Sequence, residues 1–333
     1  MLRIGIIGTS SIAHEFAKAL TLSKRYEVKA IYSRSLEKAE EFGQPYGATL
    51  FFDDLNDLLS SEEIDVVYIA SPNSLHYDQA VAALNHHKHV IVEKPAFSNM
   101  KEWTAAFDLA AEKGVFLFEA ARHIHDKNFQ LIKNEIAKLP HIDGAILHFG
   151  KYSSRYDQVL AGEDANIFSL KFSGGALMDL GVYLIYAALS WFGEPESGQY
   201  IARKIKTGVD GTGTIIFRYA DYDVVMHVSK ISNLSAPSEV QSGKQTLVMD
   251  GVSVITSVEL DDTETNQRQQ LILPTSDHLM VDEAIAFAEV IESADSTESQ
   301  AKYQEWKQLS YDVSRWIETL RKEAGIYFDA DNE

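Results

Sequence analysis

The sequence contains no cysteine among its 333 residues. It can therefore form no disulfide bonds, and thiolate metal sites and cysteine nucleophiles are excluded. It also lacks a long uncharged apolar run, and it lacks a basic start followed by an apolar segment and a cleavage site. These absences predict neither a membrane span nor export, so we expect a cytoplasmic protein.

Positive charge is scarce as well, since 30 lysine and arginine residues stand against 49 aspartate and glutamate residues. The formal net charge of -19 argues against nucleic acid or an anionic membrane as the main partner, because both bind through a basic surface. A small-molecule ligand remains compatible, since a few local cations are enough to hold a phosphate. The length predicts two domains or one large one, and a hydrophobic content of 45% is ordinary for a globular protein.

A phosphate-binding pattern occupies the start of the sequence. Leu2 to Ile7 predicts a buried strand, and a helix is expected to run to about Leu20. In the dinucleotide fingerprint G-x-G-x-x-G/A, Gly8 and Ala13 match the outer positions, whereas Ser10 replaces the middle glycine. Free N–H groups and the helix dipole favour an anion there, although an ordinary strand-to-helix turn remains the alternative. The residues expected to bind the cofactor at this turn are Gly8, Thr9, Ser10, Ser11 and Ile12.

The end of the second predicted strand, Val28 to Tyr32, lies where the ribose of a dinucleotide is recognised. An acidic residue there would bind the 2'-hydroxyl group of NAD, whereas an arginine accommodates the 2'-phosphate of NADP. In this sequence Ser33 and Arg34 follow the strand. A guanidinium group pairs with phosphate through two hydrogen bonds, so the sequence predicts NADP(H) rather than NAD(H). A solvated surface arginine is the alternative interpretation.

Strands and helices continue to alternate as far as Glu119, which predicts parallel βαβ units in a doubly wound sheet. One of the helices is expected from Leu36 to Phe42, ended by Gly43. The carboxyl ends of parallel strands meet at one edge of such a sheet, where ligands bind. The side chains expected near the cofactor at this edge are Ser71, Pro72, Asn73 and His76 after one strand, and Glu93 and Lys94 after another. Glu93 is also expected to anchor its own turn.

A group of three histidines, His86, His87 and His89, raises the question of a metal site. The predicted helix ends there, and His87 fits a C-cap position because histidine tolerates a left-handed backbone better than most residues. The motif contains neither cysteine nor an acidic residue. We therefore expect no metal at this position.

The pattern changes after Glu119, because strand signals between Gln199 and Leu273 follow one another without intervening helices. Tandem strands predict a largely antiparallel sheet, so the second half is expected to be an α+β domain. Further helices are predicted at 278–291 and 299–323, and the tail from Asp329 is expected to be loose.

A helix predicted from about Ala176 to Trp191 carries two polar side chains of interest. Asp179 and Tyr183 are four residues apart in the sequence. That spacing places both on one face of a helix.

Three motifs together resemble the glucose-fructose oxidoreductase, inositol dehydrogenase and MocA family of NAD(P)-dependent oxidoreductases. They are the turn from Gly8 to Ala13, the run Lys88-His89-Val90 leading into Glu93-Lys94-Pro95, and Gly174-Gly175-Ala176-Leu177-Met178-Asp179-Leu180-Gly181-Val182-Tyr183. In having a tyrosine at the end of the third motif, the sequence resembles dimeric dihydrodiol dehydrogenases and NADP-dependent xylose dehydrogenases. Many other members have histidine there.

The resemblance implies a Rossmann domain over residues 1–119 and a domain for substrate binding and dimerisation over residues 120–298. The final helix, about 299–325, is expected to pack back on the first domain. The large open sheet of the second domain is expected to form a homodimer or a higher homo-oligomer. The resemblance also implies a cis peptide bond between Lys94 and Pro95.

The implied reaction is hydride transfer between a nicotinamide and the carbinol or carbonyl carbon of a sugar, polyol or dihydrodiol. Lys94 would donate a hydrogen bond to the substrate oxygen and stabilise the phenolate of Tyr183, the expected general acid and base. Asp179 would orient the substrate hydroxyl or tune Lys94. The side chains expected to line the substrate pocket are His123, His125, Arg155 and Tyr156.

Two alternative functions remain compatible with the sequence. A catalytically silent dinucleotide-binding regulator can have the same fold, but a pure sensor has no need of Lys94, Asp179 and Tyr183. A biliverdin-reductase-like enzyme would keep the fold with a different substrate pocket.

Overall fold

In the computed structural model, which describes residues 1–332, the first part of the chain alternates between strands and helices. The strands are β1 (Leu2–Ile7), β2 (Tyr26–Tyr32), β3 (Leu50–Phe52), β4 (Val66–Ile69), β5 (His89–Glu93) and β6 (Leu117–Ala120). The helices are α1 (Ser11–Ser23), α2 (Leu36–Gly43), α3 (Leu55–Ser60), α4 (His76–Asn85) and α5 (Met100–Lys113).

The remainder contains a run of strands between two groups of helices. The strands are β7 (Gly144–Gly150), β8 (Ser197–Lys204), β9 (Asp210–Arg218), β10 (Asp223–Ser229), β11 (Ser238–Ser242), β12 (Gln245–Met249), β13 (Val258–Asp262) and β14 (Gln267–Gln270). The helices are α6 (Lys127–Ile136), α7 (Tyr156–Leu160), α8 (Val182–Phe192), α9 (Val281–Glu292) and α10 (Thr297–Glu323). A π-helical turn, Leu177–Gly181, runs directly into α8.

Two compact units share the chain. The first unit combines Met1–Arg122 with Ser276–Gln308, and the second combines His123–Thr275 with the residues from Leu309 on. This division differs from the expected one, because residues 276–298 belong to the first unit and the end of α10 belongs to the second. The physical reason is packing: Met280 and Phe287 of the α9 region are buried in the same apolar cluster as Phe118 of β6.

The sheet of the first unit is parallel, with the strand order β3-β2-β1-β4-β5-β6. Its central strands β4 and β5 are continuous apolar runs, Val66–Ile69 and Val90–Val92, and all of these side chains are buried. Burial on both faces is what helices packed on both sides of a parallel sheet require. The carboxyl ends of β1, β4 and β5 consequently meet at one edge.

The sheet of the second unit has the strand order β14-β13-β12-β11-β7-β10-β9-β8. Within residues 1–332 its neighbours are antiparallel except for the pair β7 and β10. Buried and partly exposed residues alternate along β9 and β10, as expected for a sheet with one covered face. Helix α8 contacts β7 on the covered side, and Val182–Leu189 are buried throughout.

These two sheets confirm the predicted fold class, a doubly wound Rossmann unit plus an α+β unit with a large, mostly antiparallel sheet. The bond between Lys94 and Pro95 is cis, as the resemblance implied, and His87 has the left-handed backbone expected at the end of α4. Within residues 1–332, no helix combines the length and apolar character needed to cross a membrane.

Helix α2 ends at Gly43, as predicted, but Gly43 is not left-handed; the chain continues through a 3-10 turn to Gly47, which has φ +79°. A Cβ atom on Gly43 would lie 2.7 Å from the side chain of Ile31, so close packing on β2 explains the glycine. The tail is not loose up to residue 332, because buried Arg321 donates two hydrogen bonds of 2.6 Å to Asp331.

Candidate functional site

The turn between β1 and α1 has the geometry of an anion site. Gly8 has φ +105°, and a Cβ atom there would lie 2.9 Å from the carbonyl oxygen of Ala70, so the strand ends approach too closely for a side chain. Ser10, which replaces the middle glycine of the fingerprint, caps α1 by accepting a 3.4 Å hydrogen bond from the Ala13 N–H group. The first turn of this 13-residue helix thus begins beside the edge of the sheet.

A cavity of ≈ 390 Å³ lies next to this turn, between α1 and α2. It is lined by Thr9, His14, Lys38, Glu41 and Phe42. Arg34 is exposed just beyond the end of β2, and Ser33 accepts a 3.4 Å hydrogen bond from the Ser35 N–H group. The sequence interpretation missed Lys38, which its position four residues after Arg34 would have indicated as a second cation.

His76 lies between two of the turns at the edge of the sheet. The side chain is completely buried, its Nε2 atom lies 2.9 Å from the Ser71 carbonyl oxygen, and its Nδ1 atom lies 3.1 Å from that of Ala96. Burial lowers the pKa of the imidazole. The ring thus joins the turn after β4 to the turn after β5, and its contact with the cofactor stays a prediction.

Glu93 also faces the interior, where it braces the turn that carries Lys94. Only 6% of Glu93 is exposed, and its carboxylate accepts hydrogen bonds from the Tyr68 hydroxyl group at 2.6 Å and from the Lys94 N–H group at 3.2 Å. Burial raises the pKa of this carboxyl group. Its anchoring role agrees with the sequence, but it does not lie at the surface as a cofactor ligand would. Lys94 itself is partly exposed.

A second cavity of the first unit, ≈ 350 Å³, lies on the other side of α1. It is lined by Ile12 and Glu15, by Arg122, and by residues 276–280. Arg122 follows β6 and was not singled out from the sequence, because it belongs to none of the motifs described above. Residues 276–280 were missed because they reach this unit only through the return of the chain to α9.

The candidate residues of the second unit begin at the π-helical turn. A Cβ atom on Gly174 would lie 2.4 Å from the Ile167 carbonyl oxygen, and one on Gly175 would lie 2.1 Å from Asp210 Oδ1. Asp210 is buried and accepts hydrogen bonds of 2.6 Å from the Leu177 N–H group and from the Tyr200 hydroxyl group. Burial raises its pKa. The two glycines therefore let a carboxyl group of β9 reach the start of the helix.

Asp179 lies on this turn and forms an ion pair with Lys230, the residue directly after β10. The Lys230 side chain is 3% exposed, and that of Asp179 is 26% exposed. The Lys230 ammonium group also lies 5.5 Å from the centre of the Phe168 ring. Lys230 was missed because nothing distinguishes it in the sequence from other lysines.

Tyr183 is 8% exposed and packs among aromatic rings. Its ring centre lies 4.7 Å from that of His123 and 5.4 Å from that of Phe149, with the Phe149 ring edge-on. His123 is 2% exposed and is a packing partner of Tyr183, so its place in the wall of a substrate pocket stays a prediction. Burial lowers the pKa of the neighbouring His125 to about 3.

Arg155 and Tyr156 have different environments. Arg155 is exposed and its guanidinium group donates a 3.4 Å hydrogen bond to Gln158. Tyr156 packs against a small apolar cluster, with its ring centre 5.5 Å from that of Phe168. Tyr156 is thus joined through Phe168 to Lys230. Among residues 1–332, no group of three or more His, Asp or Glu side chains is arranged to hold a metal ion.

Comparison with known proteins gives the same family for both halves of the chain. Residues 2–121 match the family described as "Oxidoreductase family, NAD-binding Rossmann fold", and residues 141–246 match "GFO/IDH/MocA C-terminal domain".

Similar proteins match over the whole length. The chain is 35% identical over 332 residues to the uncharacterized oxidoreductase YgjR of Escherichia coli, covering 100% of this chain and 99% of that protein. It is 35% identical over 331 residues to scyllo-inositol 2-dehydrogenase (NADP(+)) IolU of Bacillus subtilis, covering 99% of both. The solved structure of KijD10, a 3-ketoreductase from Actinomadura kijaniata in complex with NADP and TDP-benzene, has a TM-score of 0.83 at 22% identity, covering 96% of this chain and 97% of that chain.

Proposed function

Because the chain belongs to the GFO/IDH/MocA family of oxidoreductases, we propose that it transfers a hydride between NADP(H) and a carbinol or carbonyl carbon of a sugar, polyol or dihydrodiol. The observation that carries this proposal is the likeness to IolU along the full chain, at 35% identity. The positions of Gly8, Arg34 and the Asp179–Tyr183 helix support it.

The residues of the first unit fit a dinucleotide. The glycine turn and the N-terminus of α1 offer N–H groups for a pyrophosphate, and we assign Thr9, Ser11 and Ile12 to this contact. Arg34 and Lys38 are assigned to the 2'-phosphate, because both are exposed cations at the end of β2 and the start of α2. Ser71, Pro72 and Asn73 are assigned to the edge after β4. The bound nicotinamide would supply or accept the hydride.

We assign proton transfer to Tyr183. Its phenol hydroxyl group donates a proton to the substrate oxygen in reduction and accepts it back in oxidation. Lys94 donates a hydrogen bond to the same oxygen and so favours the negative charge that develops on it. Asp179 accepts a hydrogen bond from a substrate hydroxyl group. These three assignments follow the family motifs and are tested together.

The test is a panel of scyllo-inositol and other inositols, aldoses, dicarbonyls and dihydrodiols, scored by NADPH absorbance with NADP and with NAD. We expect Lys94→Ala and Tyr183→Phe each to lower kcat by roughly 100-fold or more, because a preorganised hydrogen-bond donor and a positioned proton-transfer group each contribute that much. NADPH binding, followed by fluorescence, should stay near the wild-type value. Lys127→Ala and Tyr222→Phe make the same chemical changes at other positions and should leave turnover unchanged.

Wild-type turnover in either catalytic variant would contradict the assignment of that residue. Tight NADPH binding without turnover of any panel compound would instead favour the alternative function, a catalytically silent dinucleotide-binding regulator. A preference for NAD over NADP would remove the cofactor assignment and leave the reaction class intact.

We also propose that the chain forms a homodimer through the open face of the sheet in the second unit. Ile216, Val225 and Ile146 stand side by side on β9, β10 and β7, and all three are partly exposed. A contiguous apolar row on one sheet face supports an interaction surface. A second copy of the chain fits such a face because a two-fold interface brings the same patch onto itself.

A further inference from the structure

Lys230 is the feature of the second unit that the reaction described above does not yet use. Its side chain is 3% exposed, and it forms an ion pair with Asp179 Oδ2. Isolated ammonium groups are very rarely buried this deeply, because removal from water strongly disfavours the charge. A buried lysine therefore indicates a partner that gains from its charge, and Asp179 is such a partner.

The surroundings of Lys230 hold it in place from three directions. Its N–H group donates a 2.9 Å hydrogen bond to the Gly211 carbonyl oxygen, and its own carbonyl oxygen accepts one of 2.9 Å from the Ser153 N–H group. Its ammonium group lies 5.5 Å from the centre of the Phe168 ring, where a cation is attracted by the face of the ring. The backbone and stem of Lys230 are thus fixed by elements other than the one that carries Asp179.

The ion pair has two consequences for Asp179. It favours the ionised carboxylate, and it fixes the rotation of the carboxylate because the contact is made through Oδ2. With 26% of its side chain exposed, Asp179 still reaches solvent. The exposed part of the carboxylate can accept a hydrogen bond from a substrate hydroxyl group.

We propose that Lys230 is a positioning residue of the reaction, which acts through Asp179 by keeping its carboxylate charged and correctly rotated toward a substrate hydroxyl group. This inference rests on the proposed function. It assigns the partner of Asp179 to a residue 51 positions later in the sequence.

Other polar groups lie on the elements packed against the turn that carries Asp179. Strand β9 contributes Asp210 at the start of the helix, and the helix itself contributes Tyr183. The buried side chains of β10 include the hydroxyl group of Ser229; the apolar ones of β7 and β10 are Ala145, Leu147, Val224, Met226 and Val228. Among the groups named here Lys230 is the cation, and its charge favours the ionised form of Asp179.

The test compares Lys230→Met, which keeps the length of the side chain without its charge, with Lys230→Arg, which keeps the charge. Activity is measured on scyllo-inositol, or on the best panel compound, with NADP. We expect Lys230→Met to lower kcat/KM by about tenfold to 100-fold, as for the loss of a hydrogen bond to a charged group. The acid limb of its pH profile should move up by about one pH unit or more, because Asp179 then takes up a proton more readily. Lys230→Arg should recover most of the activity and the wild-type acid limb.

A double-mutant comparison separates positioning from folding. Asp179→Asn alone and Asp179→Asn with Lys230→Met should have the same kcat/KM, because Lys230 acts through Asp179. In the double variant Asp179→Asn removes the carboxylate that would otherwise be left without its cation. This variant should therefore fold even if Lys230→Met alone does not. Lys151→Met, at an exposed lysine directly after β7, is the matched control and should behave as wild type.

A further loss in the double variant, or an unmoved acid limb in Lys230→Met, would overturn the proposal. The thermal midpoint gives a readout that needs no substrate. The thermal midpoint of Lys230→Met should lie furthest below that of wild type at neutral pH, and the difference should shrink as Asp179 is protonated in acid. A difference that is the same at every pH would contradict the ion-pair role. Failure of every panel compound would reject the proposed function, and this measurement would still decide the role of Lys230.

Discussion

Arg34 is the residue on which the cofactor assignment depends most. It is exposed directly after β2, and Lys38 lines the neighbouring cavity four residues later. A phosphate group between two cations is recognised more strongly than by one alone, and a guanidinium group can bind it through two parallel hydrogen bonds. The preference for NADP should therefore be sensitive to the sign of the charge at Arg34.

We expect Arg34→Asp to shift the NADP to NAD ratio of kcat/KM toward NAD by roughly tenfold to 100-fold, because a charge-assisted hydrogen bond is lost and a repulsion is added. Steady-state kinetics with both cofactors measure this ratio. Lys206→Asp introduces the same change of charge at an exposed position of the second unit and should leave the ratio unchanged. A ratio in Arg34→Asp equal to that of wild type would show that Arg34 does not contact the phosphate.

Glu283 is a second residue with an unusual environment, this time in the core of the first unit. The side chain is completely buried on α9, and within residues 1–332 neither of its carboxyl oxygens has a hydrogen-bond partner. Burial raises the pKa of Glu283 well above its usual range; the charge of Glu93 raises it further, and Arg122 opposes the shift. The folded protein therefore binds a proton on Glu283 more tightly than the unfolded chain does.

The sign of the pH dependence follows from this difference. The stabilisation is fully present below the ordinary pKa of glutamate and is lost as the pH rises toward the raised pKa, at about 1.4 kcal/mol for each pH unit within that window. Glu283→Gln should abolish this loss, so its urea midpoint relative to wild type should increase between acidic and weakly alkaline pH. Glu289→Gln, at an exposed position of the same helix, is the control. A constant difference between Glu283→Gln and wild type at all pH values would contradict the assignment.

At the scale of elements, the sequence predicted those structures whose causes are local. Helix α5, Met100–Lys113, begins after its N-cap Asn99 and ends at the left-handed Gly114, and both signals are adjacent to it in the sequence. The π-helical turn was not predictable in this way. Its first N–H groups are bound by Asp210, which lies on β9 and comes 33 residues after Leu177. Periodicity along one helix contains no information about a partner on a distant strand.

The candidate site shows the same distinction. Gly8, Lys94, Asp179 and Tyr183 could be identified because their motifs are contiguous in the sequence. Lys38 could have been identified from its spacing to Arg34. Lys230, Arg122 and residues 276–280 could not, because only the folded chain brings them to the other candidate residues of their own unit. The burial of His76 and His123 was not predictable either, since sequence position indicates the edge of a sheet but does not distinguish a buried side chain from an exposed one.

At the scale of the whole molecule, the row formed by Ile216, Val225 and Ile146 predicts the oligomeric state. Val225 pairs with Ile216 on one side and with Ile146 on the other, so it lies at the centre of the row. Val225→Arg should convert a dimer into a monomer, because an interface of two identical patches would then bury two like charges against each other. Light scattering coupled to gel filtration measures the mass directly.

Lys206→Glu, in the loop between β8 and β9, is the control for a change of surface charge and should remain dimeric. A wild-type chain that is monomeric at micromolar concentration would refute the dimer itself. A Val225→Arg variant that remains dimeric would show that another surface forms the interface.

The division of the chain between two discontinuous units also determines when the protein can finish folding during its synthesis. The first core joins Phe16 and Phe118 to Phe287 and Tyr303, and the second includes a contact between the rings of Phe217 and Trp316. Both cores therefore need segments from the last sixth of the chain. On the ribosome, neither unit closes until synthesis is almost complete, and the emerging chain carries exposed apolar surface for most of that time. Chaperones that bind such surface thus have a long interval in which to act on this protein, and a chain cut short before Ser276 would leave both units open.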